Sequence, residues 1–235
     1  MKKKYVVITL IALMGAGIGG AFMLLEPKGD KSKPYKPNNE NIKLPEPKYD
    51  GNTSVEQALL KRRSDREYKD ESLTLTEISQ LLWAGQGITD TRGFRTAPSA
   101  GALYPLELYV VAGKVNNLPD GIYKYEPQKH ELVMVIEGDK RSELCNAALD
   151  QPSVKEAAAV IVFSAVYERT TGKYGERGIR YVHIEVGHAA QNIFLQAVSL
   201  NLGAMVIGAF DDEEVKKIMN IPEREQPLYI LPVGK

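Results

Sequence analysis

The chain has 235 residues, of which 43% are hydrophobic and 26% charged, as is typical of a globular domain. Its 30 basic residues balance its 30 acidic residues, so the overall charge disfavours nucleic acid as a partner. The single cysteine, Cys145, excludes an intramolecular disulfide, and the three histidines form no cluster, so we expect no metal site.

The first 25 residues have the composition of a membrane segment. Three lysines follow Met1, and the 21 residues from Tyr5 to Leu25 include no charged side chain. At about 1.5 Å per residue in a helix, this stretch covers roughly 30 Å, the thickness of a bilayer core. The lysines favour a cytoplasmic N-terminus, so we expect a membrane-anchored domain outside the cytoplasm. A cleaved signal peptide, and hence a secreted domain, remains an alternative, because Gly19-Gly20-Ala21 resembles a processing site.

Residues 26–52 are rich in Pro, Lys, Asn and Glu and are predicted to form a linker. The folded domain, residues 53–235, is predicted to begin with a helix after Ser54, which with Gln57 has the form of a capping box. A second capping box, Thr74 with Glu77, predicts another helix up to Gly85.

The middle and end of the chain alternate between strand and helix patterns without strict βα repetition. Strands are predicted at 107–112, 121–125, 131–136, 158–166, 203–207 and 228–233, and helices at 139–149, 181–202 and 211–219. The uninterrupted apolar run from Ala158 to Val166 indicates a strand that is buried on both faces. This pattern predicts an α+β domain.

A basic segment follows the first predicted helix and includes Arg62, Arg63, Ser64 and Arg66. Phosphate oxygens each accept several hydrogen bonds, so hydroxyl and guanidinium donors close together are suited to bind a phosphate group. Basic side chains also stabilise the C-terminal end of a helix. Composition alone leaves both interpretations open.

A loop of small residues and two prolines leads into the strand at residue 107. It reads Thr-Ala-Pro-Ser-Ala-Gly-Ala-Leu-Tyr-Pro-Leu-Glu over residues 96–107. Glycine allows a backbone to approach a flat ligand closely, and proline restricts the loop to one shape. The loop is therefore a candidate ligand-binding element.

Four motifs, taken in order, resemble the nitroreductase superfamily. They are Arg-Arg-Ser-x-Arg at 62–66, Pro-Ser-Ala-Gly-Ala-Leu-Tyr-Pro-Leu-Glu at 98–107, Gly-His-Ala-Ala-Gln-Asn at 187–192 and Gly-Ala-Met-Val-Ile-Gly at 203–208. Their order is most similar to the SagB-type or thiazole/oxazole oxidase branch. The resemblance covers about residues 53–235 and implies a mostly antiparallel central sheet flanked by helices. It further implies a homodimer with FMN bound at the subunit interface.

The resemblance also assigns residues to FMN. The phosphate, ribityl chain and pyrimidine edge would be bound by Arg62, Arg63, Ser64 and Arg66, with Lys235 completing the phosphate site. The resemblance implies that the partner subunit approaches the flavin with the residues Pro98, Ser99, Ala100 and Gly101. The resemblance also implies that Ile207, Gly208 and Ala209 lie beside the ring near N5. There a backbone N–H can donate a hydrogen bond to the nitrogen.

Azoline oxidases of this branch use an adjacent Lys-Tyr pair near the substrate. The pair Lys173-Tyr174 resembles it. Dehydrogenating a ring needs a base for a C–H proton while hydride passes to flavin N5, and a tyrosine beside a cation can act as that base. The surrounding residues, 170–180, are rich in glycine and charge and favour an exposed loop. An exposed loop without a catalytic role remains the alternative.

We therefore expect an FMN-dependent oxidoreductase acting on a small-molecule or peptide-derived substrate, with residues 85–96 and 166–180 selecting the substrate. An NAD(P)H-dependent reductase of quinones or nitroaromatics is the second hypothesis. A non-catalytic flavin-binding module and a flavin-free structural protein are the third and fourth.

Overall fold

The computed structural model describes residues 41–235, in which nine strands form two sheets. The strands are β1 (Ile42–Lys43), β2 (Leu73–Thr74), β3 (Leu106–Ala112), β4 (Val115–Asn116), β5 (Gly121–Glu126), β6 (Glu131–Glu137), β7 (Ala159–Ala165), β8 (Gly203–Ala204) and β9 (Gln226–Gly234). Seven strands form the central sheet in the order β1-β6-β5-β3-β7-β9-β8, and every pair in it is antiparallel. The second sheet is the short parallel pair of β2 and β4.

Helices cover both faces of the central sheet. They are α1 (Val55–Lys61), α2 (Leu75–Gln86), α3 (Arg141–Ala147), α4 (Pro152–Glu156), α5 (Glu168–Tyr174), α6 (Arg177–Ser199) and α7 (Asp212–Met219). Side chains alternate along a strand, so Leu108 and Val110 of β3 pack with α2 and α6, whereas Tyr109 and Val111 pack with α3, α4 and α7. The predicted α+β architecture, a mostly antiparallel sheet flanked by helices, is confirmed.

Both predicted helix starts are present. Ser54 accepts a hydrogen bond from the Gln57 amide, and Thr74 and Glu77 form a reciprocal capping box. Every residue of β7 is buried, as the apolar run predicted. These elements follow from local sequence because their signals act within a few residues.

Folded structure begins upstream of Thr53, within the range predicted to be linker. Ile42 pairs with Leu132, Leu44 is buried, and Gln80 bonds the backbone of Lys48 through both its oxygen and its nitrogen. The predicted anchor or signal peptide at 1–25 lies outside the described residues. Within residues 41–235, no helix is both long and apolar enough to cross a bilayer.

The segment 170–180, predicted as a loop, is mostly helical, and this prediction was wrong. Helix α5 extends to Tyr174 and α6 begins at Arg177, and Gly175 between them has a positive φ of 57°. A Cβ added at Gly178 would lie 2.9 Å from the Thr171 backbone. The glycines therefore permit a tight helical corner, rather than an irregular loop.

A buried carboxylate connects the loop after α7 to the sheet. Glu225 is 1% exposed and accepts hydrogen bonds from the hydroxyls of Tyr109 and Ser164, both at 2.8 Å. Lys124 Nζ donates to its second oxygen at 3.1 Å. Burial, together with the adjacent Glu225, raises the pKa of Tyr109, which keeps that hydroxyl a donor.

Replacing Glu225 with alanine is expected to lower the free energy of unfolding by about 2–4 kcal/mol, because it leaves the buried hydroxyls of Tyr109 and Ser164 without their acceptor and removes one of the two carboxylates that pair with Lys124. Urea unfolding followed by circular dichroism measures this loss. The exposed Glu137→Ala is the control, with an expected change within about 0.5 kcal/mol. Equal changes in the two variants would contradict the structural role of Glu225.

Candidate active site

The predicted phosphate-binding segment lies directly after α1. Its backbone is tied to β8 by the Asp65 amide, which donates to the Ala204 carbonyl at 3.0 Å. The Arg62 guanidinium lies over the Phe194 ring of α6, 5.5 Å from its centroid. Arg63 donates to the carbonyls of Leu60 and Arg62, which places its guanidinium at the helix end.

The guanidinium groups of this segment are available to an anion. Within the described residues, none of Arg62, Arg63 and Arg66 forms an ion pair with a carboxylate. Ser64 beside them is exposed. Three unpaired arginines and a hydroxyl match the donor set of a phosphate, so these residues fit the phosphate end of FMN.

Lys235 lies beside the same segment. Its carbonyl accepts a hydrogen bond from Lys69 N–H at 2.6 Å, and the Tyr68 ring packs so closely on Gly234 that a Cβ there would lie 2.8 Å away. A cavity of about 440 Å³ is lined by Asp65, Glu67, Tyr68, Lys69, Gly203 and Lys235. Lys235 Nζ lies 3.9 Å from Glu77 Oε1, so a carboxylate already offsets part of its positive charge.

The predicted flavin-edge residues follow β8. The Ile207 amide donates to the Ile230 carbonyl at 2.8 Å, so it is already used in the sheet. Gly208 and Ala209 are exposed, and their amides donate no backbone hydrogen bond within residues 41–235. Of the three predicted residues, these two can offer a backbone N–H to a ligand, and Ile207 cannot.

The predicted flavin-facing loop forms a strained turn. Gly101, Ala102 and Tyr104 have φ angles of 64°, 54° and 47°, in the left-handed region that side chains rarely adopt. The Ser99 hydroxyl oxygen accepts a hydrogen bond from Tyr104 N–H at 2.9 Å and closes the turn. Such backbone strain is concentrated at functional sites, which makes this turn a candidate binding element.

Lys173 and Tyr174 lie against this turn. A Cβ added at Gly101 would lie 2.8 Å from the Tyr174 hydroxyl and 3.0 Å from Lys173 Nζ. The last turn of α5 thus delivers both side chains to the loop that the resemblance assigns to the flavin. The structure brings the predicted catalytic pair and the predicted flavin-facing loop together in one protomer.

Helix α6 contacts both parts of the candidate site, the phosphate segment and the turn at Gly101. Phe194 lies under Arg62, and Glu185, nine residues earlier, lies next to Ser99. At about 1.5 Å per residue the two positions are roughly 14 Å apart along the helix. Within residues 41–235 of one protomer, no hydrogen bond or ion pair joins the arginines of the phosphate segment to the turn at Gly101.

Sequence reasoning missed a buried polar cluster behind the turn, formed by Gln86, Arg95 and Glu185. Arg95 donates to Gln86 Oε1 at 2.7 Å and lies over the Tyr104 ring, 4.6 Å from its centroid. Glu185 is 2% exposed, on the buried face of α6. Burial raises the pKa of Glu185 to about 7, against the opposing effects of Ser99 and Arg95. A carboxylate on the buried, apolar face of a helix is the sequence signal for such a group, but the sequence does not show which face is buried.

Within residues 41–235, no group of three or more His, Cys, Asp and Glu side chains is placed to hold a metal ion. Two histidines have structural hydrogen bonds. His130 Nδ1 bonds Tyr125 Oη at 2.8 Å, and His183 Nε2 bonds Tyr167 Oη at 2.6 Å.

Comparison with known proteins matches residues 59–235 to the model of the Nitroreductase family. A Methanocaldococcus jannaschii protein named as a nitroreductase is 47% identical over 88% of this chain and 98% of its own length. The Escherichia coli microcin B17-processing protein McbC is 29% identical over 65% of this chain and 58% of its own length.

Solved structures agree with this match. A structure from Anabaena variabilis, also named as a nitroreductase, has a TM-score of 0.73 and 32% identity, covering 85% of this chain and 42% of that one. The resemblance seen in the sequence motifs is thereby confirmed, and the observed sheet and helices are those of the nitroreductase fold. The chain therefore belongs to the Nitroreductase family of oxidoreductases.

Proposed function

We propose that this chain binds FMN and dehydrogenates a small-molecule or peptide-derived substrate, as a SagB-type member of its family. The observation that carries this proposal is the contact of Lys173 and Tyr174 with the turn at Gly101. A base close to a flavin-facing loop is what oxidation of a C–H bond requires. The similarity to McbC, a protein named for microcin B17 processing, also supports a peptide-derived substrate.

The residues of the phosphate segment would bind the phosphate end of FMN, with Lys235 beside them. The free amides of Gly208 and Ala209 would lie at the ring edge, where small residues permit close approach. FMN supplies the hydride-accepting centre when it is bound. Positioning of the substrate, removal of its proton and exclusion of water belong to the protein.

In this proposal Tyr174 acts as a phenolate, whose oxygen takes the substrate proton and becomes the neutral hydroxyl. Lys173 favours the phenolate before the transfer, because its ammonium group lies 5.3 Å from the Tyr174 ring centroid. Gly101 is the residue that allows both side chains to reach the turn. Residues 85–96 and 166–180 would select the substrate.

We also propose that the chain acts as a homodimer, with the exposed faces of α1 and α6 in the interface. Val55, Leu59 and Leu60 on α1 are 64%, 55% and 66% exposed, and Ile184 on α6 is 49% exposed. The α6 positions that sequence periodicity places on one face, including Gly187 and His188, point outward in the protomer. A partner on this face would remove apolar surface from water and join the two parts of the site. Sedimentation of the full chain tests this.

The second candidate is an NAD(P)H-dependent reductase of quinones or nitroaromatics. The observation that favours it is the 47% identity with a protein named as a nitroreductase. The two candidates differ in the compound that gives electrons to the flavin.

An anaerobic reduction experiment separates the two candidates. The purified full chain is incubated with FMN, desalted and mixed either with NADPH or with a thiazoline- or oxazoline-containing peptide. Rapid flavin bleaching by the peptide and slow bleaching by NADPH is the expected result. Rapid bleaching by NADPH alone would replace the dehydrogenase proposal with the reductase, and absence of bound flavin would contradict both.

A glycine variant tests the observation that carries the proposal. In Gly101→Ala, the added methyl displaces Lys173 and Tyr174, so turnover is expected to fall at least about tenfold. The matched control is Gly138→Ala, whose φ of 90° imposes a similar backbone strain but whose Cβ would meet no atom within 4 Å. Both variants should lose about 1 kcal/mol of stability. Equal turnover in the two variants would contradict the role of the Gly101 contact.

We further propose that residues 1–25 hold the domain outside the cytoplasm, or direct its secretion. The support is the lysine cluster and the uncharged stretch that follows it. Protease accessibility of the domain in intact cells, compared with lysed cells, tests this placement. Protection in intact cells would contradict it.

A further inference from the structure

We propose that Glu185 is a positioning residue whose ionisation controls the turn at Ser99–Tyr104 and, through that turn, the Lys173–Tyr174 pair. The consequence for catalysis rests on the proposed function. The titration of Glu185 and its effect on folding do not depend on the proposed function, so this inference and the proposed function can fail separately.

The first observation is spare hydrogen-bonding capacity around Glu185. Glu185 Oε1, Arg95 Nε and Gln86 Nε2 are buried and have no hydrogen-bond partner. Buried polar atoms without partners are uncommon and call for an explanation. A free carboxylate oxygen allows a proton to be added to Glu185 without breaking an existing bond.

The second observation is the connection between Glu185 and the turn. Glu185 lies next to the Ser99 hydroxyl, which favours its ionised form, and the Ser99 oxygen accepts a hydrogen bond from Tyr104 N–H at 2.9 Å. Hydrogen bonds to a carboxylate are roughly twice as strong as those to a neutral acid, so protonation of Glu185 weakens the contact to Ser99. The left-handed Tyr104 depends on such contacts, because its backbone conformation is unfavourable by itself.

The charged surroundings set the pH at which this change occurs. Arg95, from the loop after α2, is the charged group that acts on Glu185 and favours its ionised form. Behind Arg95 lie Tyr104, Glu107 of β3 and Arg169 of α5. Lys173 and Tyr174 of α5 lie against the turn at Gly101. Burial outweighs the two favourable contacts and raises the pKa of Glu185 to about 7, so the group titrates near neutral pH.

Ionised Glu185 is therefore the form that holds the turn. As pH rises through neutrality, the carboxylate gains the full bond from Ser99 and the attraction of Arg95, and the turn at Gly101 is held against Lys173 and Tyr174. Turnover is expected to rise over the same pH range. Glutamine at this position accepts the Ser99 hydroxyl at every pH and carries no proton to lose.

The direct test is the titration of the carboxyl group in the full chain without added FMN, followed by difference infrared spectroscopy. A protonated-carboxyl band that disappears near pH 7 is expected in the wild-type chain and absent from Glu185→Gln. The control is Glu225→Gln, at a carboxylate equally buried but bonded through both oxygens to Tyr109, Ser164 and Lys124. This control should retain the band. A band that survives in Glu185→Gln, or its absence from the wild-type chain, would overturn the proposal.

Thermal unfolding of the same chains gives a second measurement with a defined sign. The folded state binds this proton more tightly than the unfolded state, so Glu185 lowers the melting temperature as pH rises from about 5 to 8. Glu185→Gln removes that contribution, and its melting temperature relative to wild type should increase over this range. Glu225→Gln should show no such increase. A constant difference between Glu185→Gln and wild type would overturn the proposal.

The kinetic test uses the chain loaded with FMN. In Glu185→Gln the rise of kcat through neutral pH should be lost, whereas a purely structural defect would lower kcat at every pH and leave the rise in place. Ser99→Ala removes the hydroxyl through which Glu185 acts on the turn, so it should also lose the rise of kcat, whereas its infrared band should disappear at a higher pH because a contact that favours the ionised form is gone. If the chain binds no FMN, the proposed function fails, and the infrared and thermal results still decide the ionisation of Glu185.

Discussion

Replacing Tyr174 with phenylalanine is expected to lower kcat for the dehydrogenation by about 100- to 10,000-fold, the usual contribution of a positioned base. The variant loses one oxygen, and the ring can still pack against Tyr181, whose centroid lies 5.2 Å away. Flavin binding should be unchanged because the phosphate segment contacts another part of α6, at Phe194. Steady-state kinetics with the azoline peptide, alongside the flavin spectrum, measures both effects.

The control for this variant is Tyr181→Phe. It removes the same atom from the neighbouring ring, and within the described residues the Tyr181 hydroxyl has no hydrogen bond. Its turnover should stay within about twofold of wild type. If Tyr174→Phe retains full turnover, the tyrosine is not the base, and the dehydrogenase proposal loses its main support.

The double variant Arg63→Ala/Ser64→Ala is expected to lose FMN. Hydrogen bonds to a charged group contribute about 1.5–3 kcal/mol each, so removing two donors should weaken binding at least about 100-fold. After incubation with FMN and desalting, the parent chain should show flavin absorbance and the variant should not. The folded state should be unaffected, because both side chains are exposed.

Arg224→Ala is the control for charge alone. Arg224 is exposed in the loop before β9, and like Arg63 it forms no carboxylate ion pair within residues 41–235. Its flavin content should equal that of the parent. Loss of flavin from both variants would indicate a general effect of positive charge, and retention in both would contradict the phosphate site.

The sequence was sufficient where the signal is local. Capping boxes at Ser54 and Thr74 predicted helix starts, and the apolar run at 158–166 predicted the buried strand β7, because such preferences act between residues a few positions apart. Four motifs in a fixed order also indicated the family, which the match over residues 59–235 confirms. The roles of their residues toward FMN stay predictions.

The sequence was insufficient where packing overrides composition. Ile42 and Leu44 lie in a Pro- and Lys-rich stretch. Ile42 nevertheless pairs with β6, and Leu44 is buried in the core. Glycine and charge around α5 indicated a loop, although the helices meet closely at Gly178. In both cases, contacts with distant parts of the chain outweigh local preferences.

By itself, the sequence determined the family, the class of fold and the arginine- and serine-containing segment suited to a phosphate. Only the tertiary structure decided which of these residues meet. In the folded chain Lys173 and Tyr174 lie against Gly101, and the Ile207 amide donates a hydrogen bond within the sheet. Glu185 is buried near the turn. The physical reason is that long-range packing sets the burial and neighbours of a side chain, and these properties decide whether a charged residue is solvated or available for chemistry.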